Sequence, residues 1–437
     1  MAALSSLLSV LRAPGSIARE LAKGSASGLV LSVSNRVVTL GSGVLLARAL
    51  GIDQFGVYSL AIAFAMVVGV FVEMGLPTLL VREVARADRD GGTADHHHIL
   101  RDAVVLTLAS SLVAATVIVV GMNFPALTGK TAERAALITI TALLPLSALT
   151  RVLAAALMGR RQILRSQFAE MIIAPAIVLV GAAVLYLRLV RPGAEAALFV
   201  QIGANAVGAI CAWAWLRRAL PGRTAVAGEA RRSLLTLGRA GLPFLLANIA
   251  LLLSSQVDTV VVGVIGHPRD VALYRVGAQG AVLCTFAMQV LQSVSSPFIA
   301  RLQQDGATAA VRRLFRTVQA ITFGFSLAMT IVFAVAGREL IGLLFGPSYI
   351  SAQPILVIIS AGYLVNAACG PIGMLLSMTG HERAMSRIVW ATAIANLAAA
   401  LVLGRLAGPT GVAVATALSV AGYHLLMRLY ARRYFQL

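Results

Sequence analysis

Apolar residues along this chain gather into runs of about twenty, separated by short polar gaps that carry most of the arginines. A helix rising 1.5 Å per residue needs about 20 mostly apolar residues to cross about 30 Å of hydrocarbon. The runs predict about twelve such helices. In the first half they cover 28–50, 57–80, 103–122, 135–158, 168–187 and 196–216. In the second half they cover 242–263, 273–298, 318–336, 354–377, 385–403 and 409–427. None alternates with a period of two, so a transmembrane β-barrel is excluded.

Composition strengthens that picture. Of 437 residues, 59% are hydrophobic and only 12% charged, with a mean hydropathy of +0.88. Soluble domains run at about 45–50% apolar and about 25% charged. A core hiding this much apolar surface would leave too little polar surface to face water, so lipid must be the solvent. That excludes a soluble enzyme, a disordered chain and a disulfide-stapled secreted domain. Cys211, Cys284 and Cys369 all fall inside apolar runs without metal or disulfide spacing, and read as small core residues.

The net charge of +19 lies in the gaps between runs, so it reads as membrane topology and no nucleic-acid partner is expected. With a cytoplasmic N-terminus, inner segments hold about 25 of the basic residues and outer loops about 9. That asymmetry predicts two cytoplasmic termini. Trp213, Trp215 and Trp390 fall at predicted inner ends, where indoles favour the interface. Residues 1–27 lack a small-residue cleavage site and are expected to form a cytoplasmic arm on the inner leaflet.

The chain also repeats itself once. GVYSLAIAF around Tyr58 returns as ALYRVGAQG around Tyr274, Pro77 with Arg82 returns as Pro297 with Arg301, and MGRRQ at Gly159 returns as TGHER at Gly380. The offsets are 216, 220 and 221 for Tyr58, Pro77 and Gly159, near half the chain length. Six spans per half is an even number, so both halves enter from one side as a parallel repeat. The expected order is arm 1–27, first lobe 28–216, basic cytoplasmic linker 217–240, second lobe 241–427 and cytoplasmic tail 428–437. Two facing six-helix lobes suggest a central cavity and a rocking motion.

Charges inside spans are the main candidate chemistry, since each costs roughly 2.5–3.5 kcal/mol at a helix centre. Arg36, Glu73 and Arg151 each lie about eight residues from an inner helix end, in a layer about 12 Å deep. Two readings are open. Arg36 pairs with Glu73 while Arg151 snorkels, or the three form a net-positive layer that binds an anionic head group. Asp258, near the outer end of the seventh span, is a candidate for proton or cation coupling, as is Glu73; the alternative is a paired carboxylate. Gln279 and Gln289 (with Gln292) suit sugar hydroxyls, or hydrogen bonds between helices. His96–His97–His98 reads as a solvated loop, because three adjacent imidazoles cannot close a metal site alone. The chain carries no phosphate-binding loop, and no cofactor or metal is expected.

Five segments carry a family resemblance. They are LARALGIDQFGVYSLAIAF (Leu46–Phe64), MGLPTLLVREVAR (Met74–Arg86), VDTVVVGVIGHPRDVALYRVGAQ (Val257–Gln279), FGPSYISAQPILVI (Phe345–Ile358), and SMTGHERAMSRIVWATAIANLAAALVL with GPTGVAVATALS (Ser377–Ser419). In order and spacing the chain resembles the Wzx-type oligosaccharide flippases of polysaccharide biosynthesis. Their superfamily also holds the multidrug and toxin extruders (MATE) and the lipid II flippases. The resemblance implies an all-α, V-shaped, MATE-like transporter of two pseudo-symmetric lobes in a bacterial inner membrane. Its substrate would be an undecaprenyl-diphosphate-linked oligosaccharide for O-antigen, capsule or exopolysaccharide synthesis. It would be driven by membrane potential or by proton or sodium antiport, in association with a polysaccharide polymerase complex. Cationic cavity residues of the family match Arg36 and Arg151 in type, while Glu73 departs from a purely cationic cavity. The rivals are a cation-coupled multidrug exporter of the same fold and a membrane-embedded polymerase or ligase. The latter needs a large outer loop that this chain lacks.

Overall fold

The computed structural model describes residues 16–90, 93–121, 131–190, 192–219, 234–292, 295, 308–378 and 382–435. All regular structure among them is helical. The echoes at Pro297, Arg301 and Gly380, most of the 217–240 linker and most of the N-terminal arm lie outside the described residues.

The first helix, α1 (Ser16–Glu73), is broken at Gly51, whose φ of 72° and ψ of 170° belong to a region open essentially to glycine alone. It therefore carries two expected spans. Then follow α2 (Leu76–Asp90), α3 (Thr93–Gly121), α4 (Thr131–Gly159) and the short α5 (Ile163–Gln167). A π-helical turn (Phe168–Ile173) joins α5 to α6 (Ala174–Tyr186). Pro175 accounts for that turn: it offers no N–H, and its ring crowds the carbonyl four residues back, so the preceding turn widens. Next come α7 (Ala194–Ala219), α8 (Leu234–Ser255), α9 (Val257–Ile265) and α10 (Pro268–Ala281), the last running into a 3-10 turn at Val282–Thr285. The chain ends with α11 (Thr308–Leu344), α12 (Gln353–Cys369), α13 (Ile372–Met378) and α14 (Glu382–Phe435). Like α1, α14 is broken at a glycine, Gly408, directly before Pro409.

Among the described residues, nine helical stretches are long and apolar enough to cross a membrane. Two of them, Leu31–Glu73 and Arg383–Arg433, contain the glycine breaks and supply two spans each. With the shorter apolar helix Leu237–Ala250, they accommodate the twelve spans expected. Exposed Leu112, Val113, Val117 and Val120 on α3 give that helix an apolar outer face suited to acyl chains.

Packing divides the chain into two compact units. One comprises Ser34–Gly263 with His267–Ala272; the other comprises Leu273–Leu437 with Val264–Gly266 and the start of the chain to Val33. The seventh span thus packs with the first six as far as Gly263, whereas the sequence suggests a division at 217–240. A close backbone contact is the cause. A Cβ on Gly75 would lie 2.4 Å from the Gly241 carbonyl, and one on Gly241 would lie 2.4 Å from the Met74 carbonyl. Only two glycines let α8 sit this near.

The second span also ends earlier than its apolar run. Positive φ at Met74 (48°) and Gly75 (72°) stops α1. The remaining LPTLLVREVARADRD forms α2, with Leu76, Leu79, Leu80, Val84 and Ala87 buried on one side. Pro77 is the second residue of α2, where a missing N–H costs nothing. In this unit Ile140, Leu144, Leu198 and Val57 form one apolar cluster, and Leu153, Leu157, Ala169, Ala212 and Leu216 another. The second unit packs Phe315, Cys369, Ile372, Leu376 and Met427 together.

Candidate functional site

Three helical segments of the first unit converge on one guanidinium. Arg151, on α4, donates from Nη1 to Glu73 Oε1, the last residue of α1, at 2.8 Å. Its Nε lies 4.0 Å from Glu170 Oε1, on the π-helical turn. Side-chain exposure falls from 47% for Glu170 through 35% for Arg151 to 7% for Glu73. The pair is therefore anchored at the buried carboxylate and open at the other.

Neighbouring contacts fix each member. Ser110 donates to the carbonyl of Val72 at 2.7 Å, tying α3 to the end of α1 beside Glu73. Thr150, one residue before Arg151, donates to the Asn205 carbonyl at 3.0 Å and ties α4 to α7. Gly208 on α7 lets the helices close in: a Cβ there would meet the Ala169 carbonyl and Thr150 Cγ2, each at 3.3 Å. The residues before Glu170 and before Arg151 thus share one small-residue seat.

This geometry corrects the first of the two sequence readings. Glu73 binds Arg151, and Arg151 does not snorkel free of it. It also changes the charge ledger. The sequence sets Arg36 and Arg151 against Glu73 alone, a net-positive layer; Glu170 adds a second carboxylate, so the four formal charges cancel. Sequence reading missed Glu170 because it sits at the edge of its predicted span, 168–187, where an acidic residue is unremarkable. Its signal was the approach of Pro175, five residues on. Arg36 is exposed on α1.

Asp258 is buried in the same unit, within the first turn of α9. The sequence places it near the outer end of one continuous span, but the helix is interrupted at Gln256 and a new one begins at Val257. Gln279 and Gln289 belong to the other unit. The 3-10 turn Val282–Thr285 lies between them. Gln279 is half-buried, and Gln289 is exposed and donates to Thr285 at 3.0 Å.

Two further polar constellations were not legible in the sequence. In the first unit, buried Glu83 takes Arg82 and Arg86 at 3.2 Å each, and Arg82 lies over the Phe244 ring at 5.4 Å. In the second unit, the break at Gly370 frees the Ala368 carbonyl, which accepts from both Gln319 and Arg428. Arg428 lies just past the apolar run that ends at 427, so it reads as a tail residue. Cys284 and Cys369 are buried. Among the described residues no group of three His, Cys, Asp or Glu side chains converges on a metal position.

The family model described as polysaccharide biosynthesis protein matches residues 21–303. A comparison with curated protein sequences finds no match. Among solved structures, the lipid II flippase MurJ in an inward closed conformation superposes with a TM-score of 0.73 at 12% identity, covering 92% of this chain and 87% of that one. An inward-facing multidrug resistance MATE family transporter of the MOP superfamily gives a TM-score of 0.68 at 13% identity, covering 93% and 98%. At such identities the likeness establishes a shared fold.

Proposed function

Because this chain belongs to the polysaccharide biosynthesis protein family, we propose that it flips an undecaprenyl-diphosphate-linked oligosaccharide repeat from the inner to the outer leaflet of a bacterial inner membrane. Family and fold together support a multi-pass transporter rather than an enzyme. The observation that carries the reading is Arg151. It is a guanidinium held at one corner by a buried carboxylate, with a half-exposed carboxylate 4.0 Å from its Nε and about a third of its own side chain exposed. A group so exposed at that depth faces a polar space rather than acyl chains, since lipid contact would cost several kcal/mol.

The physical task is to pass a diphosphate and a polar sugar across about 30 Å of hydrocarbon while the lipid tail stays in the bilayer. Arg151 and Arg36 replace water around the phosphates, and Gln279 and Gln289 offer amides to sugar hydroxyls. The two helical lobes alternate access to the two leaflets. An inside-negative potential of about 100 mV favours outward movement of negative charge by about 2.3 kcal/mol per charge. Resetting the empty carrier is assigned to cation or proton antiport through Asp258 or Glu73. The termini lie in the cytoplasm, and a polysaccharide polymerase takes the product on the far side. A deletion strain tests this: single lipid-linked repeats collect on the inner leaflet if the chain is the flippase. Repeats collecting outside would point to a polymerase instead.

A second reading has one specific observation in its favour. Two carboxylates around one guanidinium, Glu73 and Glu170, leave the cluster with a formal charge of −1. That suits a cation-coupled multidrug exporter, and one of the structural neighbours is named as a multidrug resistance transporter. Unchanged polysaccharide with increased sensitivity to cationic drugs in the deletion strain would favour it.

A further inference from the structure

We propose that Glu170 is a displaceable counter-anion that holds the phosphate position on Arg151 when the carrier is empty. The inference rests on the flippase reading and adds to it a residue that sets affinity and release. Arg151 presents five N–H donors in a planar fork. Nη1 is committed to Glu73 at 2.8 Å. The side-on edge, which carries Nε and takes phosphate bidentately, faces Glu170. At 4.0 Å that contact is an ion pair but exceeds hydrogen-bond length.

The two carboxylates are therefore unequal partners. Glu73 is nearly fully buried, hydrogen-bonded and next to the Val72–Ser110 contact, so it stays with Arg151 and aims it. Glu170 is about half exposed and sits on a π-helical turn, a local geometry that is frequent at functional sites. With both carboxylates in place the cluster has a formal charge of −1 and repels an incoming diphosphate. With Glu170 swung away it is neutral, with one donor edge open. A phosphate oxygen then takes that edge, and the return of Glu170 speeds its release.

The exposure of Glu170 sets the magnitude. A half-exposed ion pair is screened and contributes about 0.4–1 kcal/mol, the upper part of the range for exposed pairs, so removing the competitor should tighten anion binding by about two- to fivefold. The test uses the purified full chain in nanodiscs titrated with geranylgeranyl diphosphate, recording affinity and dissociation rate. Glu170→Gln should bind about two- to fivefold more tightly through slower dissociation, with Glu170→Asp near wild type. Glu73→Gln should not tighten binding, and Arg151→Ala should weaken it by tenfold or more. If Arg151→Ala weakens binding while Glu170→Gln leaves it unchanged or weaker, the counter-anion role is overturned and the flippase reading stands. If wild type fails to bind, or Arg151→Ala binds like wild type, the assignment of Arg151 to the substrate falls, and this role falls with it. Unfolding midpoints of both Glu170 variants close to wild type exclude misfolding as the cause.

Discussion

At the scale of single residues, the Glu73–Arg151 pair is stabilising only as a pair. Removing the guanidinium strands a buried carboxylate, whereas removing the carboxylate leaves a cation that can still reach a polar space. Arg151→Ala is therefore expected to destabilise the protein by about 1–3 kcal/mol, less than a fully buried pair because Arg151 is partly exposed. Adding Glu73→Gln should restore part of that loss. Thermal unfolding of the single and double variants in detergent checks this; a double variant no more stable than Arg151→Ala would mean that Glu73 is not stranded. The sequence alone exposes Arg151 and Glu73 as charges in spans. It does not reveal their pairing, because 78 positions separate them and nothing local links the two.

At the scale of elements, backbone chemistry decides where helices stop. Gly51 occupies a φ/ψ region that other residues enter at a cost of about 1–3 kcal/mol. Gly51→Ala should lower the unfolding midpoint and reduce membrane abundance, while Gly69→Ala, where a Cβ meets nothing within 4 Å, should not. Gly241→Val would force α8 away from Met74, and protease accessibility of the α2 region should rise. The π-helical turn gives a sharper test. Pro175→Ala restores an N–H and lets the turn tighten to α geometry, moving Glu170 off Arg151. It should tighten diphosphate binding as Glu170→Gln does; binding like wild type would show that the turn does not place Glu170. Apolar runs, with their length near twenty, made the spans legible. The stop at Met74–Gly75 was not, because α2 continues the apolar pattern of the span before it. The interruption at Gln256 was not legible either, because no glycine or proline marks it within the run 242–263 near that position.

At the scale of the whole molecule, composition and charge asymmetry already require a multi-pass membrane protein, and the fold agrees with that. Packing divides the chain into two compact units, and the glycine contact that seats α8 in the first of them is one that hydropathy cannot register. The central claim is that a cationic group seated in the first unit carries the phosphates of a lipid-linked sugar. Its most direct measurement is the leaflet distribution of lipid-linked repeats in a deletion strain complemented with Arg36→Ala, Arg151→Ala or both, at matched membrane abundance. Retention of repeats on the inner leaflet, strongest in the double variant, is the predicted result. Full export by the double variant would contradict the account.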